Sequence, residues 1–111
     1  MNKHDVGGII KNNIKLKTTS DNKVVINLLV QSQDKFTDKT GKIHTKRNIH
    51  QVELWDKTAK MVAENYKKGS YIIVSGRSET TKIDENNYST KLIVNSVENI
   101  NRKHWFNVNC N

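Results

Sequence analysis

Asn48-Ile49-His50-Gln51-Val52-Glu53-Leu54-Trp55-Asp56-Lys57-Thr58-Ala59, then Val62-Ala63-Glu64-Asn65-Tyr66-Lys67-Lys68-Gly69-Ser70, then Tyr71-Ile72-Ile73-Val74-Ser75-Gly76-Arg77, is the stretch that decides the fold. Its first run alternates. His50, Val52 and Leu54 take one side and Ile49, Gln51, Glu53 and Trp55 the other, the period-two pattern of a half-buried strand. The period then changes: Ala59, Val62, Ala63 and Tyr66 stand at i, i+3, i+4 and i+7, one apolar face of a helix. Asp56 is expected to cap that helix by accepting from the free amides of its first turn. Lys67 and Lys68 suit its negative C-terminal end, and Gly69 can take the left-handed conformation that stops it. A second β-rich run, residues 71–83, follows and is interrupted by Gly76.

On the N-terminal side lies a polar stretch, residues 31–46, carrying Lys35, Lys39, Lys42 and Lys46, with Gly41 as the expected hairpin tip. Before it, Lys23-Val24-Val25-Ile26-Asn27-Leu28-Leu29-Val30 reads as a central strand, reached through a polar turn at residues 18–22. The first run, residues 6–16, sets Ile10, Ile14 and Leu16 on one parity, with Gly7 and Gly8 suggesting a bulge or tight bend. On the C-terminal side, Asp84-Glu85-Asn86-Asn87 forms a turn into a last strand at residues 88–97. Three strands, a helix and two strands give an all-β chain with one helix, the element order of a five-stranded OB-fold barrel with the helix between strands three and four. Residues 1–100 are expected to form that domain and 101–111 a short polar tail containing Trp105 and Phe106.

A chain of 111 residues forms one domain, and 34% apolar against 27% charged residues leaves it a thin core, which one shared barrel interior manages well. Nineteen Lys and Arg against eleven Asp and Glu give a net charge of +8, which favours a polyanionic partner. Only Arg47, Arg77 and Arg102 are arginines. Bidentate Arg dominates base-edge reading, so the Lys excess leans towards phosphate contact. Cys110 is the only cysteine and can form no internal disulfide, so a reducing cytoplasm is expected. No apolar run has signal-peptide or membrane-spanning length, and a membrane partner is not expected. His4, His44 and His104 are isolated, so neither a metal nor a cofactor is expected. No nucleophile elbow, phosphate loop or His-Glu-x-x-His pattern occurs, and the Asp84–Glu85 pair reads as a turn tip, so no enzyme is expected.

The residues quoted at the outset closely resemble the bacterial-type single-stranded DNA-binding proteins: a strand with His-x-Val, an aromatic at its end, a helix, Lys-Lys-Gly-Ser, then a strand ending in Gly. The likeness covers roughly residues 6–97 and is most specific between His50 and Gly76. It implies an OB-fold protein of replication, recombination or repair that binds single-stranded DNA with little sequence preference. It further implies a nucleoid-associated, homo-oligomeric protein, tetramer favoured over dimer, with replication proteins as further partners. The family carries stacking aromatics in the arm after strand two, at both ends of strand three and late in strand four. Phe36 and Trp55 match the first and third; Ile49 and Ile83 stand at the others, where an aliphatic side chain packs on a base but offers no π-face. No Asp or Glu follows Glu98, so the sequence resembles a short form without the family's acidic tail. The alternative is a replication-restart or mobile-element accessory protein working mainly through protein contacts.

Binding single strands without sequence preference needs a basic groove and aromatic platforms. Trp55 is then a stacking residue or, alternatively, a core residue beside the helix. Phe36 is a stacking residue or an anchor for its loop. Lys35, Lys39, Lys42, Lys46 and Arg47 are candidate phosphate contacts or an ordinary solvated hairpin. Lys11 and Lys15, read as sharing a strand face, and Arg77 and Lys82, along strand four, are further phosphate candidates. Glu53 shares the presumed binding face and opposes them. His50 matches a family subunit contact, with a hydrogen-bonded core histidine the equal alternative. Val6 lies on an edge that an oligomer would cover.

Overall fold

The computed structural model describes residues 2–98, as six strands and one helix. In chain order they are β1 (His4–Ile10), β2 (Lys17–Thr18), β3 (Val24–Thr37), β4 (Ile43–Trp55), α1 (Asp56–Asn65), β5 (Tyr71–Lys82) and β6 (Tyr88–Val97). β2 is a two-residue strand laid against the start of β3. The other five run in the order β1-β5-β6-β4-β3, and β1 pairs again with β3 at Ile9–Gln31 and Ile10–Val30, which closes the barrel. Among the described residues, only β4 and β6 pair in parallel. The helix sits between the third and fourth barrel strands, as the sequence implies.

Alternation supplies the core. Ile26, Leu28 and Val30 of β3 meet Leu54 and Val52 of β4 inside, joined by Ile10, Ile72, Val74, Leu92 and Val94. Ala59 and Val62 bury the apolar helix face against them, and Ala63 and Tyr66 pack at its margin. Two glycines are required by close approach. A Cβ at Gly76 would collide with the Ile93 carbonyl oxygen, beside a register shift in β5–β6, and one at Gly8 with the Gln31 carbonyl oxygen.

Local expectations fail where a tertiary partner outcompetes them. Asp56 does not cap α1: its φ is 50°, and its carboxylate accepts from the Val24 amide at 3.2 Å, tying the helix start to β3. The helix also stops at Asn65, so Lys67 and Lys68 lie beyond it. Gly69, at φ 95°, donates its amide to the Ile10 carbonyl at 2.8 Å and fastens the connection to β1. β1 ends at Ile10, so Lys11 and Lys15 are not on a strand. Instead the Asn12 side chain fills a gap in the β3 edge, donating to the Asn27 carbonyl at 3.0 Å and accepting from the Leu29 amide at 2.8 Å. Residues 31–46 form a hairpin with Gly41 at its tip, as expected, but its strands are longer than the sequence suggests: β3 and β4 stay paired out to Thr37 and Ile43, as a polar two-stranded arm leaving the barrel.

Candidate nucleic-acid interface

Because paired residues share a face, the β3–β4 register assigns each side chain. The outward face of the ladder carries Val25 with Trp55, Asn27 with Glu53, Leu29 with Gln51, Gln31 with Ile49, Gln33 with Arg47 and Lys35 with Thr45. Trp55, Ile49, Arg47 and Lys35 therefore lie along one face, Trp55 half-buried and Ile49 54% exposed. From Trp55 to Ile49 is about 20 Å at the usual strand rise. A shallow depression of about 140 Å³ opens between them, lined by Asn12, Asn27, Leu29, Gln51 and Lys91 among others.

Glu53 is less of an obstacle than its charge suggests. It is 9% exposed, and Lys91 of β6 holds its carboxylate at 3.1 Å. Nothing local in the sequence singles out Lys91 or Asn12. Lys91 reaches this face only through the parallel β4–β6 pairing, which no local pattern announces, whereas Gln51 shares the parity of Trp55 and is legible from it.

Phe36 lies on the other side of the ribbon from Trp55, paired with His44, and the two rings stack at 5.1 Å between centroids and 17° between planes. Lys46, opposite Asp34, shares that side. Lys39 and Lys42 flank the tip, where Gly41 takes φ 87°. One carboxylate organises this tip. Asp38 accepts from the Thr40 hydroxyl at 2.6 Å and amide at 2.8 Å, from the Lys42 amide at 3.0 Å and from His44 Nε2 at 2.6 Å. Those bonds, the Thr40 hydroxyl's foremost, pull its pKa down to about 2. As an ionised carboxylate it can only accept, so His44 presents Nε2–H to it.

The remaining candidates divide. Lys11 and Lys15 are exposed along the connection that borders the β3 edge. Arg77 faces outward on β5 with Glu79 at 3.7 Å, so part of its charge is already met. Lys82 belongs to the opposite side of the β5–β6 ribbon, paired with Tyr88, so it does not continue the line of Arg77. Ile83 is 66% exposed just past the end of β5, donating its amide to the Asn87 carbonyl across the turn, and Tyr88, paired with Lys82, is exposed as well. From sequence Tyr88 reads only as the start of a strand; an exposed aromatic bordering a polar turn is the signal that marks it.

His50 and Val6 are brought together. Both line a cleft of about 430 Å³ with His4, Asp5 and Leu92. His50 Nε2 lies 2.8 Å from the Ser32 hydroxyl. Over His4–Gly8, β1 pairs with β5 on one side, and its pairing with β3 begins only at Ile9. Among the described residues, no group of three or more His, Cys, Asp or Glu could hold a metal ion, and no helix is long and apolar enough to cross a membrane. Trp105 and Phe106 lie outside the described residues.

A closed five-stranded barrel with one helix between its third and fourth strands defines an OB-fold protein. The chain belongs to the single-strand binding protein family, whose family model matches residues 1–100. It is 23% identical over 108 residues to single-stranded DNA-binding protein 1 of Chlorobaculum tepidum, covering 93% of this chain and 67% of that one. Solved structures share the fold. A deletion variant of the single-stranded DNA-binding protein of Thermus aquaticus superposes with a TM-score of 0.78 at 22% identity, over 88% of this chain and 49% of that one. A Plasmodium falciparum protein of the family, in complex with single-stranded DNA, gives 0.76 at 19% identity, over 88% and 91%. The chain thus spans about half the length of its Thermus counterpart. Its family is one of binding proteins, in agreement with the absence of any enzyme motif.

Proposed function

We propose that this chain binds single-stranded DNA with little base preference, in replication, recombination or repair. The observation that carries the reading is the outward face of the β3–β4 ladder, where Trp55, Glu53 (held by Lys91), Gln51, Ile49 and Arg47 follow one another in a line. Trp55 stacks a base, Ile49 packs against the next, Phe36 stacks a further base on the other side of the arm, and Lys35, Arg47, Lys11 and Lys15 hold phosphates. Lys39, Lys42, Lys46, Arg77, Lys82 and Ile83 extend the contact along the arm and the β5–β6 turn. Family membership and the Plasmodium falciparum complex support the choice of ligand.

The working form is a homo-oligomer, a tetramer before a dimer, with the open β1 edge at Val6 and the His50 cleft as contacts. It acts in the cytoplasm at the nucleoid, beside replication proteins. Aliphatic side chains at Ile49 and Ile83 favour a second reading, an accessory protein of replication restart or a mobile element that uses the barrel mainly for protein contacts. Titration of labelled oligo-dT, its RNA equivalent and duplex DNA at two salt concentrations tests the choice. Preference for the single strand, with log K falling against log salt by about 0.7 per phosphate engaged, is expected. Tighter binding to duplex, or a flat salt response, contradicts it. Light scattering showing only a 12.8 kDa species at micromolar protein would contradict the oligomer.

A further inference from the structure

The arm tip contains a device that charge alone does not explain. Asp38 puts a negative charge into a segment whose other charged residues are mostly cations, Lys35, Lys39, Lys42, Lys46 and Arg47. For a surface meeting phosphate, that is a cost. Yet its carboxylate is the most heavily bonded group of the arm, gathering the Thr40 hydroxyl, the Thr40 and Lys42 amides and His44 Nε2. The tip is closed further by Asp38 donating its amide to the Lys42 carbonyl at 2.9 Å and Gly41 to the Asp38 carbonyl at 3.1 Å.

The consequence falls on Phe36. Held by Asp38, the His44 imidazole lies flat against one face of the phenyl ring, directly across the ladder. Phe36 is 53% exposed and has no buried core around it, since its neighbours on that side are Asp34, Lys46 and His44. An unsupported ring on a two-stranded polar arm would sample several rotamers and lose that freedom on binding, at a cost in affinity. Backed by His44, it is ordered beforehand and shows one open π-face.

We propose that Asp38 and His44 are positioning residues for Phe36: the carboxylate fixes the imidazole, and the imidazole fixes the phenyl ring as a ready platform for a base. This rests on the reading of Phe36 as a stacking residue.

Labelled oligo-dT titrated against the full chain and its variants tests it. Phe36→Ala weakens binding if the platform is real. Asp38→Asn removes a negative charge, so electrostatics alone requires tighter binding; the proposal requires binding weaker by about threefold, part of one stacked base. His44→Ala weakens it likewise. In the double variant Asp38→Asn with His44→Phe, a phenyl ring stacks on Phe36 without needing the carboxylate, and affinity returns to within about twofold of the parent, since an aromatic pair holds itself together. The proton resonances of His44 report independently: shifted upfield by the Phe36 ring in the parent, they move back in Asp38→Asn. Unchanged affinity in Phe36→Ala defeats the stacking reading on which the proposal stands. Weakening by Phe36→Ala alone, with Asp38→Asn neutral or tighter, overturns the positioning role and leaves the platform. Weakening by Asp38→Asn without rescue by His44→Phe also overturns it, as a merely structural loss.

Discussion

One continuous ladder, β3 with β4, serves two regions that differ in nearly every physical respect. In the barrel half, Ile26, Leu28 and Val30 alternate with solvent-facing residues and are at most 1% exposed, so a one-residue slip would turn the core outward. In the arm half, Ser32, Asp34 and Phe36 continue the same parity and bury almost nothing. The arm inherits its register from the barrel and spends its own side chains on charge and shape. The difference teaches where stability and binding can be separated: barrel changes should act on folding, and arm changes on affinity at constant stability.

Leu28→Ala is the severest test, expected to cost about 2–5 kcal/mol of unfolding free energy, as large-to-small core changes do. Denaturant melts check it, and binding by the fraction still folded should match the parent. Trp55→Ala comes next, weakening oligo-dT binding by about 1–3 kcal/mol, the worth of one base on an aromatic ring. Because Trp55 is half-buried at the helix end of the ladder, within the barrel half, it alone should lower both affinity and melting temperature. Phe36→Ala should cost less than Trp55→Ala in affinity and nothing in stability, because His44 already occupies one face of that ring. Ile49→Trp should strengthen binding, since Ile49 stands exposed on the Trp55 face and gains a π-surface there.

How much of this is legible in the sequence follows the same division. The barrel strands and helix face can be read because burial imposes a period, as at Val52–Leu54 and at Ala59–Val62. The arm cannot. Residues 31–37 carry no alternation to announce a strand, because neither side is buried, and their pairing is enforced from the barrel end. Asp56 reads as a cap because its type and position fit, but Val24 offers a better partner from another strand. Of the candidate site, Trp55, Ile49 and Gln51 follow from parity. Lys91 and the opposite facing of Phe36 depend on sheet pairing and on a count of rungs that starts from an unmarked strand end.

Two smaller effects sharpen the comparison. Replacing Lys35 and Arg47 by Gln should leave the melt unchanged and make the salt dependence shallower, by about 0.7 in slope for each phosphate no longer engaged. The tip should also loosen in acid before the barrel does. Asp38 has its pKa lowered from 3.8 to about 2, so its bonds contribute fully above about pH 4 and weaken as pH falls towards 2. Amide exchange at Thr40 and Lys42, whose N–H groups donate to Asp38, should rise over that window while core amides stay protected.

Tryptophan fluorescence tests the central claim most directly, because Trp55 and Trp105 are the only tryptophans. In a Trp105→Phe chain, emission comes from Trp55 alone and should be quenched as unlabelled oligo-dT is added, saturating where labelled oligo-dT shows binding complete. Binding that saturates with Trp55 emission unchanged would contradict the placement of the single strand on the outward β3–β4 face.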